Sequence, residues 1–197
     1  GRTIHVEKRS FAAGDHLQLE DLVAPDPTQW VVQVGAVVNV GAQDVLPLAA
    51  PDLEVAYRPG VRGRWHPSFY VRGSYGASTR DLNVAFPDRT FDAAGGTVSG
   101  GVFAAFALTD RLQVGPELEA GAWLRRATCQ EPVCGTAVTE SVALVSPGLR
   151  AEWTVPMGRA GDALIRYDAR AVPLYGEGGS TVRVAVSQGL SIGAAFR

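Results

Sequence analysis

The side chains best equipped for chemistry in this chain are charged, and they return at alternate positions. Glu54, Arg58 and Arg62 keep one parity; Glu117, Glu119 and Arg125 keep another. Glu140, Arg150 and Glu152 share a face, as do Arg166, Asp168 and Arg170, with Arg72 and Arg183 placed similarly in their own segments. Paired carboxylates can perform general acid–base work when one of them is left free to exchange a proton. Here arginines stand beside every carboxylate and would smother such a pair. Eight arginines and six carboxylates gathered into one enclosed space must pair with one another, since each unpaired buried charge costs several kcal/mol.

Other chemistries are poorly supplied. The histidines are His5, His16 and His66, and none is expected near a nucleophile. Cys129 and Cys134 are the only cysteines; their spacing favours a local structural disulfide, because the residues between them offer too few metal ligands. Gly176-Glu177-Gly178-Gly179 reads as a hairpin tip, with no phosphate-binding loop around it. No metal, cofactor or catalytic residue is therefore expected. A net charge of −2 without a basic run gives no reason to expect nucleic acid. Arginine makes up all the basic residues except Lys8, which suits planar pairing in a packed interior; a GC-rich genome would produce the same bias.

The elements that position these charges are strands. From Trp30 onward, apolar residues alternate with polar or small ones, the period of a two-faced strand. The pattern predicts strands over about 30–42, 53–63, 68–78, 97–109, 112–127, 139–155, 162–174 and 181–197. The fifth is the clearest internal case: Leu112, Val114, Leu118, Ala120, Ala122 and Leu124 oppose Gln113, Gly115, Glu117, Glu119, Gly121, Trp123 and Arg125. Expected turns lie near 63–67, 109–111 and 156–162, and expected loops at 43–52, 78–96, 128–138 and 175–180. His66 falls in the first of these turns. The longest loop, 78–96, reads as solvated and poorly ordered. No run of about 18 apolar residues exists, so no transmembrane helix is expected.

The final strand, Thr181 to Arg197, is far longer than a typical soluble strand of about 5–6 residues. It ends on alternating apolar residues and a near-terminal aromatic, Phe196. In this it resembles the C-terminal strand of small outer-membrane β-barrels of the OmpA-transmembrane and OmpW-like kind, a resemblance covering about residues 30–197. The resemblance implies an all-β, eight-stranded antiparallel up-and-down transmembrane barrel with both termini periplasmic, in a Gram-negative outer membrane. It also implies recognition of the last strand by the assembly machinery; Arg197, following Phe196, departs from the pattern.

Alternation alone leaves open which face meets water. A soluble ligand-binding barrel would turn its apolar face inward. Charge-free apolar faces and the glycine and serine among the charges favour lipid outside. So does the placement of Trp30, Phe69, Trp153 and Phe196 at one end of their strands, where they would form an aromatic girdle. The lumen would then hold Glu54, Arg58, Arg62, Arg72, Glu117, Glu119, Arg125, Glu140, Arg150, Glu152, Arg166, Asp168, Arg170 and Arg183. Eight strands leave a bore that side chains just fill, so these charges read as a plug before they read as a pore.

Residues 1–29 form a separate unit in this reading. Ile4 and Val6, then Leu17 and Leu19, alternate about a turn at Ala13-Gly14-Asp15, and Pro25 and Pro27 stiffen a linker. Such a periplasmic hairpin is marginal alone and calls for a partner chain, the barrel rim, or an upstream domain of a larger precursor. The expected function is a non-enzymatic anchor or display protein, with a narrow channel for small hydrophobic or anionic solutes as the alternative.

Overall fold

The computed structural model describes residues 28–40, 49–61, 64–81, 90–129, 138–157, 161–175 and 182–196. The expected hairpin before residue 28, Arg62 and Cys134 lie outside the described residues. Eight strands run in order: β1 (Gln29–Val40), β2 (Ala49–Arg58), β3 (Trp65–Asp81), β4 (Thr90–Ala107), β5 (Leu112–Cys129), β6 (Val138–Pro156), β7 (Asp162–Tyr175) and β8 (Val182–Phe196). Each pairs antiparallel with the next, and β8 returns to β1 from Trp30↔Phe196 to Val40↔Val186, closing the barrel. Closure leaves no ordinary sheet edge.

Local chemistry explains the ends. Pro59 has no N–H to give to a ladder, so β2 stops at Arg58 and not near residue 63 as expected. The Gly60 N–H instead meets Thr28 Oγ1 at 3.2 Å. The β4–β5 turn is held by Thr109, whose Oγ1 accepts the N–H groups of Arg111 and Leu112 at 3.2 and 3.0 Å. Two expectations are corrected. Residues 78–81 and 90–96 are strand, with Tyr75↔Gly96 continuing to Asp81↔Thr90, because each backbone segment finds its antiparallel partner in the other. His66 lies inside β3 opposite Ala105, since β3 begins at Trp65.

Burial alternates along the strands, and the outer face is apolar. Leu118, Leu124, Val98, Leu149, Val184 and Ile192 are all more than half exposed. On β5 the outward run from Val114 to Leu124 spans about 26 Å along the barrel axis, taking about 3.4 Å per residue and a tilt of about 40°. At the end where β1 begins and β8 stops, Trp30 pairs with Phe196 and Tyr57, and Tyr57 with Phe69. Trp30 and Tyr57 rings lie 5.2 Å apart, and Trp65 and Phe106 rings 5.1 Å. Trp153 faces outward at the same end, opposite Leu112.

The wall is uneven at the opposite, loop-bearing end. The β6–β7 ladder runs from Pro156↔Asp162 only as far as Gly148↔Arg170. Above it, β6 continues to Val138 paired with β5, and β7 continues to Tyr175 paired with β8. The interruption begins at Pro147, and Pro173 lies on the facing strand; neither carries an N–H to bridge the seam.

Candidate functional site

The site is the lumen, and its chemistry changes along the axis. Towards the end where β1 begins and β8 stops, Val31, Ala56, Tyr70, Phe103, Ala105, Leu164 and Ala195 form an apolar cluster at most 3% exposed. Sequence reading assigns this space to charge. Runs such as Trp30-Val31-Val32 hide their parity, because inward and outward positions are both apolar.

Above this cluster lies an ion-pair lattice. The Glu54 carboxylate is its hub: Oε2 accepts from Arg72 Nη2 at 2.8 Å, Arg150 Nη2 at 2.7 Å and Arg166 Nη1 at 2.6 Å, while Oε1 accepts from Arg150 Nη1 at 3.0 Å. Asp168 pairs with Arg166 Nε at 3.0 Å and Arg170 Nε at 2.9 Å. Glu117 takes Arg150 Nε at 2.9 Å, and Glu119 takes Arg170 Nη1 at 2.7 Å and Arg72 Nη1 at 3.2 Å. Arg58 pairs with Glu152 nearer the terminal rim. Arg150 also stacks on Tyr70, 4.4 Å from the ring centroid, and on Phe103 at 5.0 Å.

Two members escape the sequence reading. Asp52, expected in a loop, is buried and binds Arg166 Nη2 at 2.7 Å. It shares parity with Glu54, so extending the second strand by one step would have found it. Gln33 accepts from Arg166 Nη1 at 2.9 Å and from Ser191 Oγ at 3.3 Å, a neutral acceptor on a network otherwise read only by charge.

Of the expected lumen residues, Glu54, Arg58, Arg72, Glu117, Glu119, Arg150, Glu152, Arg166, Asp168 and Arg170 meet in this lattice. Backbone register sets Arg125 opposite Glu140 and Arg183 opposite Leu174. The side chains of Arg125, Glu140 and Arg183, and of Cys129, lie outside the described residues. Among the described lumen side chains, Arg58, Arg72, Arg150, Arg166 and Arg170 face Asp52, Glu54, Glu117, Glu119, Glu152 and Asp168, one negative charge in excess. Arg72, Arg150, Arg166 and Arg170 outlast desolvation here because each satisfies several carboxylate oxygens at once.

Close packing depends on glycine. A Cβ on Gly189 would stand 2.6 Å from the Asp168 carboxylate, and one on Gly101 would overlap the Tyr70 ring. Gly189→Val should therefore displace Asp168 from its arginines and destabilise the barrel by about 1–3 kcal/mol. Urea unfolding in lipid vesicles reads the shift; an unchanged midpoint would show that Asp168 can relocate at no cost.

The loop-side lumen is a vestibule lined by Asn39, Ser74, Trp123, Leu144, Ser146 and Val172, with Arg72, Glu119 and Arg170 as its floor. Its space, counted with the solvent at its open mouth, is about 490 Å³.

No protein-family model matches the chain, and no curated protein matches it in sequence. Solved structures do match its fold. The attachment invasion locus protein Ail of Yersinia pestis, in complex with the heparin analogue sucrose octasulfate, superposes with a TM-score of 0.55 at 12% identity, covering 87% of this chain and 100% of that one. A major outer membrane protein of Thermus thermophilus gives 0.52 at 12% identity, with the same coverage. Closed topology, an apolar exterior and these superpositions agree: the chain has the fold of the small eight-stranded outer-membrane β-barrels.

Proposed function

We propose that this is a non-enzymatic outer-membrane barrel that anchors and displays, with no conducting path from end to end. The carrying observation is the double closure of the lumen, an apolar cluster around Phe103 and Leu164 beneath a lattice centred on Glu54. An ion would have to displace both layers. Every lattice carboxylate is engaged by at least one guanidinium, which leaves no free acid–base pair and supports the non-catalytic reading.

The surrounding assignments follow from that placement. Lipid covers the Val and Leu face, and the aromatic end with both termini lies in the periplasm of a Gram-negative cell. The β8 strand ending at Phe196 engages the assembly machinery, and residues 1–29 tether a periplasmic domain or partner. The four loops face outward, the third tightened by a Cys129–Cys134 bridge. Trp30, Phe69, Trp153 and Phe196 serve as the interfacial girdle. Planar-bilayer recordings test the reading: the wild type should be silent, and Arg150→Gln or Glu117→Gln should remain silent because the apolar cluster still seals the bore. Stable unitary currents from the wild type would overturn it in favour of a narrow channel.

A further inference from the structure

The outer face carries one residue that a lipid contact does not explain. Gln188 shares its parity with Val184, Val186, Leu190 and Ile192, and the structure exposes it on the outside of β8. Register sets it between Val38 of β1 and Ala169 of β7. It stands eight residues above Phe196 on the same strand. That is about 21 Å along the axis, taking about 3.4 Å per residue and a tilt of about 40°, inside an apolar band about 25 Å tall. A long polar side chain at this depth usually bends its head to the nearer water boundary. This one leans the other way. Its Oε1 accepts from the Tyr167 hydroxyl at 3.3 Å, and Tyr167 is registered with Leu190, two residues nearer Phe196. Among the described residues no other hydrogen bond reaches the Gln188 amide, so both N–H groups of Nε2 are left to whatever surrounds the barrel. Acyl chains offer no acceptor, and an amide left without one in hydrocarbon is strongly disfavoured.

We infer that the β7–β8–β1 face is an interface between two copies of this chain, closed by Gln188 pairing with its own counterpart across a two-fold axis. A primary amide suits that symmetry. Its donor and acceptor lie side by side, so two of them related by a two-fold can exchange a pair of N–H···O bonds, and Oε1 keeps a lone pair beyond the one Tyr167 uses. Both copies enter the membrane in one orientation, which brings the two glutamines to the same depth; a different partner would need an amide placed there independently. The carbonyls of lipids lie at the edge of the hydrocarbon, on the side from which Gln188 leans away. The surroundings also allow approach. Ala169 stands beside Gln188, and Ala36 opposite Leu190, so small side chains flank the amide and let two walls come close. Val34, Val38, Val186 and Leu190, all at least 41% exposed, supply the apolar rim.

The inference rests on lipid meeting the outer face, so the test reads insertion and association separately. The full chain is refolded in phosphatidylcholine vesicles, where a compact band in unheated electrophoresis reports the inserted barrel. Energy transfer between donor- and acceptor-labelled copies is then followed as lipid is added. Wild-type transfer should fall as a monomer–dimer equilibrium, and Gln188→Leu should weaken association about tenfold. Leu118→Ala, on β5, should leave it unchanged. A second arm keeps the glutamine. With Cys129 and Cys134 replaced by Ser, Ala169→Cys should give a disulfide-linked dimer on oxidation, and Leu118→Cys should not. Wild-type transfer no greater than chance collision would mean that a lipid group meets the amide, and would overturn the proposal. Undiminished association of Gln188→Leu, or equal cross-linking at positions 169 and 118, would overturn it as well. Absence of the compact band from the wild type would strike the membrane reading itself, and the interface with it.

Discussion

Glu54→Ala should be the most damaging single substitution in the lumen. Its carboxylate receives three guanidiniums, from Arg72, Arg150 and Arg166, within 2.6–2.8 Å on Oε2 alone. Removing one partner of a buried pair typically costs about 3–5 kcal/mol, because the remaining charge is stranded. Here three like charges are left converging on one cavity, each held by its remaining carboxylates, chiefly Glu119 for Arg72, Glu117 for Arg150, and Asp52 and Asp168 for Arg166. We expect a loss at the upper end of that range, read as a collapse of the urea midpoint in vesicles and a reduced fraction of the compact band in unheated electrophoresis. Glu152→Ala is the comparison. It also leaves Arg58 unpaired, but Arg58 is 12% exposed near the rim and can turn towards water, so its cost should be smaller. Equal effects of the two would mean that the lattice is a set of independent pairs without a hub.

Leu118→Arg tests the outside of the wall. Leu118 is 56% exposed and sits halfway along the outward run of β5, between Leu112 and Leu124. On a water-facing surface a change from leucine to arginine is close to neutral. At the middle of a hydrocarbon layer it costs about 2–4 kcal/mol, falling to about 0–1 near the interfaces. Leu118→Arg should therefore destabilise the folded barrel in vesicles by about 2–4 kcal/mol, while Trp153→Arg at the girdle loses far less through its charge. If Leu118→Arg is tolerated and the protein stays dispersed without detergent, the outer face meets water and the membrane assignment fails.

The two predictions probe opposite faces of one sheet, and the faces are legible in the sequence to different degrees. Alternation in β5 and β8 identifies both, because a strand's period of two places neighbours on opposite sides whatever the rest of the chain does. Where both parities are apolar, as at Trp30-Val31-Val32, or where a proline stops a ladder early, as at Pro59, local pattern has no second signal to use. The strand extents within 78–96 escape the sequence for a related reason: polar and small residues look like loop until a partner strand pairs with them.

By itself the sequence determined the number of strands, the all-β class, the two faces of most strands and most of the charges that enter the lumen. These depend on residue type and parity, which are local. Tertiary structure alone decided that Glu54 is the hub, that Asp52 and Gln33 join it, that Phe103 and Leu164 seal the terminal half, and that β6 and β7 part above Gly148. Each depends on stagger between strands far apart in the chain: Arg150 reaches Glu54 across 96 residues and Arg166 reaches it across 112. Stagger is set when the sheet closes and every strand must match two neighbours at once, a constraint that no single segment carries.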